Sequence, residues 1–264
     1  MENLPANTGW LWVKEGFVLF RKQPAEISTL FLAYMFLMLG IGIVPLLGQI
    51  LPLVLVPVFS MAFMQACVHI EQGKKVYPNL LLTGFRSPAF RTLLKLGVLY
   101  LVAAVVAVAA SALVDDGVFW QVMSGSKELE EETIRNSNMS LAMMFSAAVY
   151  LPAAMAFWYA APLIMWKKMG VGKAVFYSFF AVKRATKAFV VYGLAWLLIG
   201  VLIPAVISSL LAMMFGKAFI VMVLLLPLSL MLTVVMYCSF YPTYTHMFGR
   251  PEQAVPALQH EDIQ

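Results

Sequence analysis

Six apolar runs, each long enough to cross a bilayer, alternate along the chain with short polar or basic segments. The first, Ile27 to Leu47, carries no charge across 21 residues. At about 1.5 Å of rise per residue such a run covers a hydrocarbon core of about 30 Å. The others cover residues 49–70, 92–114, 140–166, 188–215 and 218–248. The pattern predicts an all-α polytopic membrane protein, with six transmembrane helices in three hairpins and one membrane domain over residues 1–248. The polar tail 249–264 is expected to be disordered. The first run passes through Gly40-Ile41-Gly42 into Pro45 with no small-residue cleavage site, so it reads as a retained span rather than a signal peptide. Pro52, Pro57, Pro152, Pro162, Pro204, Pro227 and Pro242 fall inside the runs and predict kinked helices whose freed carbonyls are satisfied by neighbours.

The segments between the runs differ from one another. Over residues 9–24, Trp10, Trp12, Val13, Phe17 and Phe20 share one helical side, and Lys14, Glu15, Arg21 and Lys22 the other. That predicts an amphipathic helix lying in the interface, its Trp rings at headgroup level; the alternative is a simple extension of the first span. Residues 71–91 are basic and enclose the semi-apolar PNLLLTGFRSPAF, a second interfacial segment. Residues 115–138 are acidic and read as a solvated loop or helix, since Glu128-Leu129-Glu130-Glu131-Glu132 lacks the spacing of a calcium loop. Lys167 to Lys187 holds six cations; Lys173, Arg184 and Lys187 share a helical face with Tyr177 and Phe180. A threefold repeat emerges: a basic aromatic segment, an odd-numbered span, then an even-numbered span marked by Leu51-Pro52, Leu151-Pro152 or Leu226-Pro227. It predicts three similar hairpins about an axis normal to the membrane.

Composition agrees with a membrane protein, at 62% hydrophobic and 12% charged residues and a mean hydropathy of +0.86. The net charge of +5 does not indicate nucleic acid, because the cations cluster at the ends of apolar runs. With six spans, one face holds fifteen Lys and Arg and the other only Lys127, Arg135 and Lys217. The positive-inside rule then puts both termini in the cytoplasm of a bacterial inner membrane.

Catalytic chemistry is hard to find in this sequence. The central parts of the runs contain no Asp, Glu, Lys, Arg or His, and no protease or phosphate-loop motif is present, so a non-enzymatic protein without metal or cofactor is expected. His69 and His246, with Cys67 and Cys238, stand at equivalent ends of spans two and six. A metal site there can be drawn, but hydrogen-bonding histidines and reduced packing cysteines are the better reading. Lys14, Arg21, Lys22, Lys173, Tyr177, Lys183, Arg184 and Lys187 are the candidate contacts to anionic lipid, and Gln65, Ser146, Tyr150 and Thr233 the candidates for a polar pathway or interhelical bonds.

Thr8-Gly9-Trp10-Leu11-Trp12-Val13-Lys14-Glu15-Gly16-Phe17, the later Phe20-Arg21-Lys22-Gln23-Pro24 and the hairpin around Pro45 and Gly48 resemble an uncharacterised family of proteobacterial six-pass inner-membrane proteins. The layout is more distantly similar to the membrane regions of bacterial glycerophosphodiester phosphodiesterases, whose catalytic domain has no counterpart here. The resemblance implies a location and a topology but no activity. The expected function is engagement of anionic headgroups, with a membrane-protein partner or a second copy of the chain as a further possibility. A small-solute or lipid transporter is the alternative.

Overall fold

The computed structural model describes residues 4–44, 47–126, 138–215 and 218–251. It is all helical over these residues: α1 Thr8–Lys22, α2 Pro24–Gly42, α3 Leu47–Glu71, α4 Thr83–Arg86 after a 3-10 turn Pro78–Leu82, α5 Phe90–Asp115 and α6 Val118–Met123. There follow α7 Met139–Phe157, α8 Ala160–Trp166, α9 Val171–Arg184, α10 Thr186–Leu197, α11 Ile203–Phe215 and α12 Ala218–Phe248. Six helical stretches are long and apolar enough to cross a membrane: Pro24–Gly42, Ile50–Glu71, Phe90–Asp115, Met139–Trp166, Thr186–Met213 and Leu225–Phe248. Span one thus starts at Pro24 rather than Ile27 and ends at Gly42. Proline at the first helical position suits a helix start, because its missing N–H is an orphan there anyway.

Prolines shape the spans through the backbone bond they cannot make. Pro204 cannot donate to Gly200, and the ladder shifts to a π turn over Leu198–Leu202, with Ile203 N–H bonding Leu198 O. In span four the helix breaks at Trp158-Tyr159, just before Pro162. Ser178 of α9 enters the gap: its Oγ accepts from Tyr159 N at 2.9 Å and donates to Met155 O at 2.9 Å. The hydroxyl bridges the amide and carbonyl that an unbroken helix would have joined.

The three hairpins are α2 with α3, α5 with α7 and α8, and α10 and α11 with α12. Each interfacial segment packs on the hairpin that precedes its own, cyclically: residues 78–86 on spans one and two, α9 on spans three and four, and α1 on spans five and six. The contacts therefore repeat threefold, and α1 closes the ring. Of the most apolar window, 56% is buried against protein in span two and 33% in span six, against 17% in each other span. These two spans run through the middle. The packed core lies toward the end where α1 meets the close of α12, with Cys67, Ile70, Leu163, Ile164, Cys238 and Tyr244 fully buried. Farther out the helices diverge, and Phe36, Leu113, Met144, Leu151, Val206 and Met213 are exposed as membrane-facing side chains should be.

Three sequence expectations need correction. The apolar side of α1 faces protein: Trp12, Val13, Gly16 and Leu19 are buried, and of the two Trp rings only Trp10 is exposed. Gly16 makes this approach possible, since a β-carbon there would lie 2.6 Å from Ser239 Cβ. The tail is anchored at its start, with Arg250 Nη2 2.8 Å from Glu71 Oε1; residues 252–264 lie outside the described residues. In the acidic segment Asp115 is buried and caps α6, accepting from Gly117 N at 3.1 Å and Phe119 N at 2.7 Å. The expectation for residues 127–137 lies outside the described residues.

Candidate functional site

Chemistry gathers in three places. The first is a polar cluster at the end of the bundle where α1 crosses the ends of spans two and six. Trp12 Nε1 donates to His246 Nδ1 at 2.8 Å, and the other ring nitrogen, Nε2, lies 3.5 Å from Glu15 Oε1. Beside it Glu71 accepts from Tyr241 Oη at 2.7 Å and from Arg250 Nε at 3.0 Å. A cavity of about 380 Å³ separates the two groups, with Glu15, Lys22, Glu71, Tyr241, His246 and Arg250 on its walls. Burial pushes the Glu15 carboxyl above the usual carboxylate range; the Glu71 charge adds to the rise, while His246 and Arg250 oppose it.

Sequence reasoning placed His246 as a hydrogen-bonding residue but missed its partners, which come from α1, far away in the chain. A usable signal existed. Glu15 and Glu71 are acids at the edges of apolar runs on a face otherwise crowded with cations, and such an acid needs a local reason. Among the described residues no group of three His, Cys, Asp or Glu side chains could hold a metal. Cys67 and Cys238 do meet, Cys67 Sγ lying 3.9 Å from Cys238 O, and both are free thiols.

The second place is the outward surface of the interfacial helices. Helix α9 buries Ala174, Ser178, Ala181 and Val182 and turns Phe176, Tyr177 and Phe180 outward beside exposed Lys173, Lys183 and Arg184. Lys187 follows, also exposed. Lys173 Nζ sits 5.8 Å from the centre of the Tyr177 ring. On α1 the same arrangement recurs one helical turn apart, with Lys14 Nζ 5.7 Å from the centre of the Trp10 ring. Arg21 and Lys22 end that helix in the open.

The third is a cavity of about 330 Å³ between spans two, three, four and six, just beyond the packed core. Its walls are aromatic and aliphatic, and no Asp, Glu, Lys, Arg or His lines it. Of the four residues expected along a polar pathway it contains Tyr150 only. Gln65 is half-buried, Ser146 is buried, and Thr233 donates back to Ser229 O at 2.8 Å beside a smaller cavity under Trp196. The structure does not bring these three to one channel.

Comparison with known proteins gives one informative match. A probable inner membrane protein of Burkholderia thailandensis is 36% identical over 258 residues, covering 96% of this chain and 95% of the relative. The chain belongs to that protein's family. That relative and the six apolar helices among the described residues make this protein a multi-pass inner-membrane protein. No family model matches, and no solved structure does.

Proposed function

We propose that the protein is a non-enzymatic inner-membrane component that gathers anionic lipid headgroups on its basic face, with both termini in the cytoplasm. One observation carries this reading: α9 is held to span four by its small residues and turns a mixed face of Phe176, Tyr177 and Phe180 with Lys173, Lys183 and Arg184 away from the protein. Such a face fits neither free water nor a dry core, and it matches the headgroup layer, where rings sit at the ester level and cations meet phosphate. Near an anionic surface each cation contributes about 1 kcal/mol. The exposed Lys14 on Trp10 at α1 offers the same chemistry.

The test is lipid analysis of gently extracted protein. Replacing Lys173, Lys183, Arg184 and Lys187 together by Gln should lower the share of phosphatidylglycerol and cardiolipin that copurifies. An unchanged lipid profile would sink the reading. A reporter fused at Gly125 should respond from the side opposite the termini.

A further inference from the structure

We infer that the cavity between spans two, three, four and six is a binding site for one acyl chain of a phospholipid from the leaflet opposite the termini. This site is separate from the headgroup-facing surface and stands on different residues.

The cavity lies at the break in span four. After the break, Ala160–Ile164 are buried in the core; before it, Tyr150, Ala154 and Phe157 of α7 line the space together with Phe63, Trp158, Tyr237 and Phe240. Absence of any Asp, Glu, Lys, Arg or His from this wall disfavours an ion, a sugar or an amino acid, each of which needs a charged or multiply hydrogen-bonding partner at membrane depth. An apolar chain needs none.

The shape fits the same ligand. Tyr150 and Pro162 line opposite ends of the span-four wall, separated by roughly 18 Å of helix rise. Tyr150 stands roughly 24 Å along the helix from Trp166, which places it in the far half of a hydrocarbon core of about 30 Å. A chain entering from that leaflet would therefore have its ester oxygens near Tyr150 and its methyl end toward Pro162.

The hydrogen bonding points to an acceptor at the Tyr150 end. Four polar groups of the wall are already bonded: Ser60 Oγ to Pro57 O at 2.9 Å, Tyr100 Oη to Phe157 O at 3.0 Å, Tyr159 Oη to Thr243 O at 3.0 Å and Trp158 Nε1 to Thr243 Oγ1 at 3.3 Å; the Tyr237 hydroxyl faces that of Tyr34, outside the cavity lining. Tyr150 has no hydrogen-bond partner among the described residues, and in hydrocarbon a hydroxyl without an acceptor is costly. The ester carbonyl of the bound lipid supplies one.

Native mass spectrometry of the full chain in mild detergent, followed by extraction and identification of the retained lipid, tests this. Wild-type protein should retain one phospholipid, and so should the Lys173, Lys183, Arg184 and Lys187 replacement, which separates this site from the headgroup surface. Ala154→Phe, which fills the cavity, should release it. Tyr150→Phe keeps the ring and removes only the hydroxyl, so retention should weaken roughly threefold to tenfold with folding untouched. Wild-type protein carrying no phospholipid, as for a cavity that holds water alone, overturns the inference. Equal retention in both cavity variants, each shown folded by its thermal transition, overturns it too.

Discussion

Helices α1 and α9 occupy matching places in the threefold arrangement, yet different chemistry fixes each to the hairpin beneath it. Helix α9 uses a single hydroxyl, Ser178, set into the broken ladder of span four, with small residues on either side. Helix α1 uses a large ring. Trp12 is wholly buried, lies 5.1 Å from the Phe189 ring and 5.9 Å from the Tyr192 ring, and donates to His246. The contrast follows from position in the chain. Helix α9 is joined to span four by the short link at Lys167–Gly170, so proximity comes free and one bond suffices to set the register. Helix α1 must find spans five and six across almost the whole chain, and that loop closure has an entropic cost that a larger buried contact offsets.

The largest expected effect is at Trp12. Trp12→Ala should destabilise by about 3–5 kcal/mol, because a buried ring is lost and no neighbour can fill its space. Trp12→Phe keeps most of the packing and removes the donor to His246, and should cost about 1 kcal/mol. Thermal unfolding in detergent reads both; equal losses in the two variants would mean that the ring contact is not what holds α1.

Ser178→Ala should have a smaller effect, about 1–3 kcal/mol, since it leaves Tyr159 N and Met155 O facing a gap in low dielectric. Its sharper signature is local. Amide exchange should rise at Tyr159 and in α9 while α1 stays protected, whereas Trp12→Ala should loosen α1 and leave α9 alone. Loosening of both helices by either change would show that the ring of hairpins opens as one unit.

The spans were legible in the sequence because each is a run of residues with nowhere else to go. Helix α1 was legible as a helix but not as to what it faces, for a side of Trp10, Trp12, Val13, Phe17 and Phe20 suits lipid and protein equally. What could have decided it is Gly16, a residue with no side chain on the apolar side, useless against lipid and necessary against Ser239. The role of Ser178 was hidden because its partners depend on the break before Pro162, a tertiary event. The pairing of Glu15 with His246 was hidden by the cyclic packing itself, which sends each interfacial segment away from its own hairpin.

The smallest expected effect belongs to Glu15, and its sign can be worked out. Burial first, then the Glu71 charge, raise its carboxyl above the usual carboxylate range, against the opposing pull of His246 and Arg250. The folded protein therefore holds this proton more tightly than the unfolded chain does. The stabilisation that results is fully present below the ordinary carboxylate value and is lost as pH rises through the elevated one. Because Glu15 is 37% exposed, solvent screens much of this, and only a shallow slope is expected. Glu15→Gln should flatten that slope over the mildly acidic range, with the variant's melting temperature converging on the wild type at low pH. A slope that survives the substitution would place the titrating group elsewhere in the cluster. It would also leave the Trp12 to His246 bond, rather than the carboxylate beside it, as the link that fastens α1 to span six.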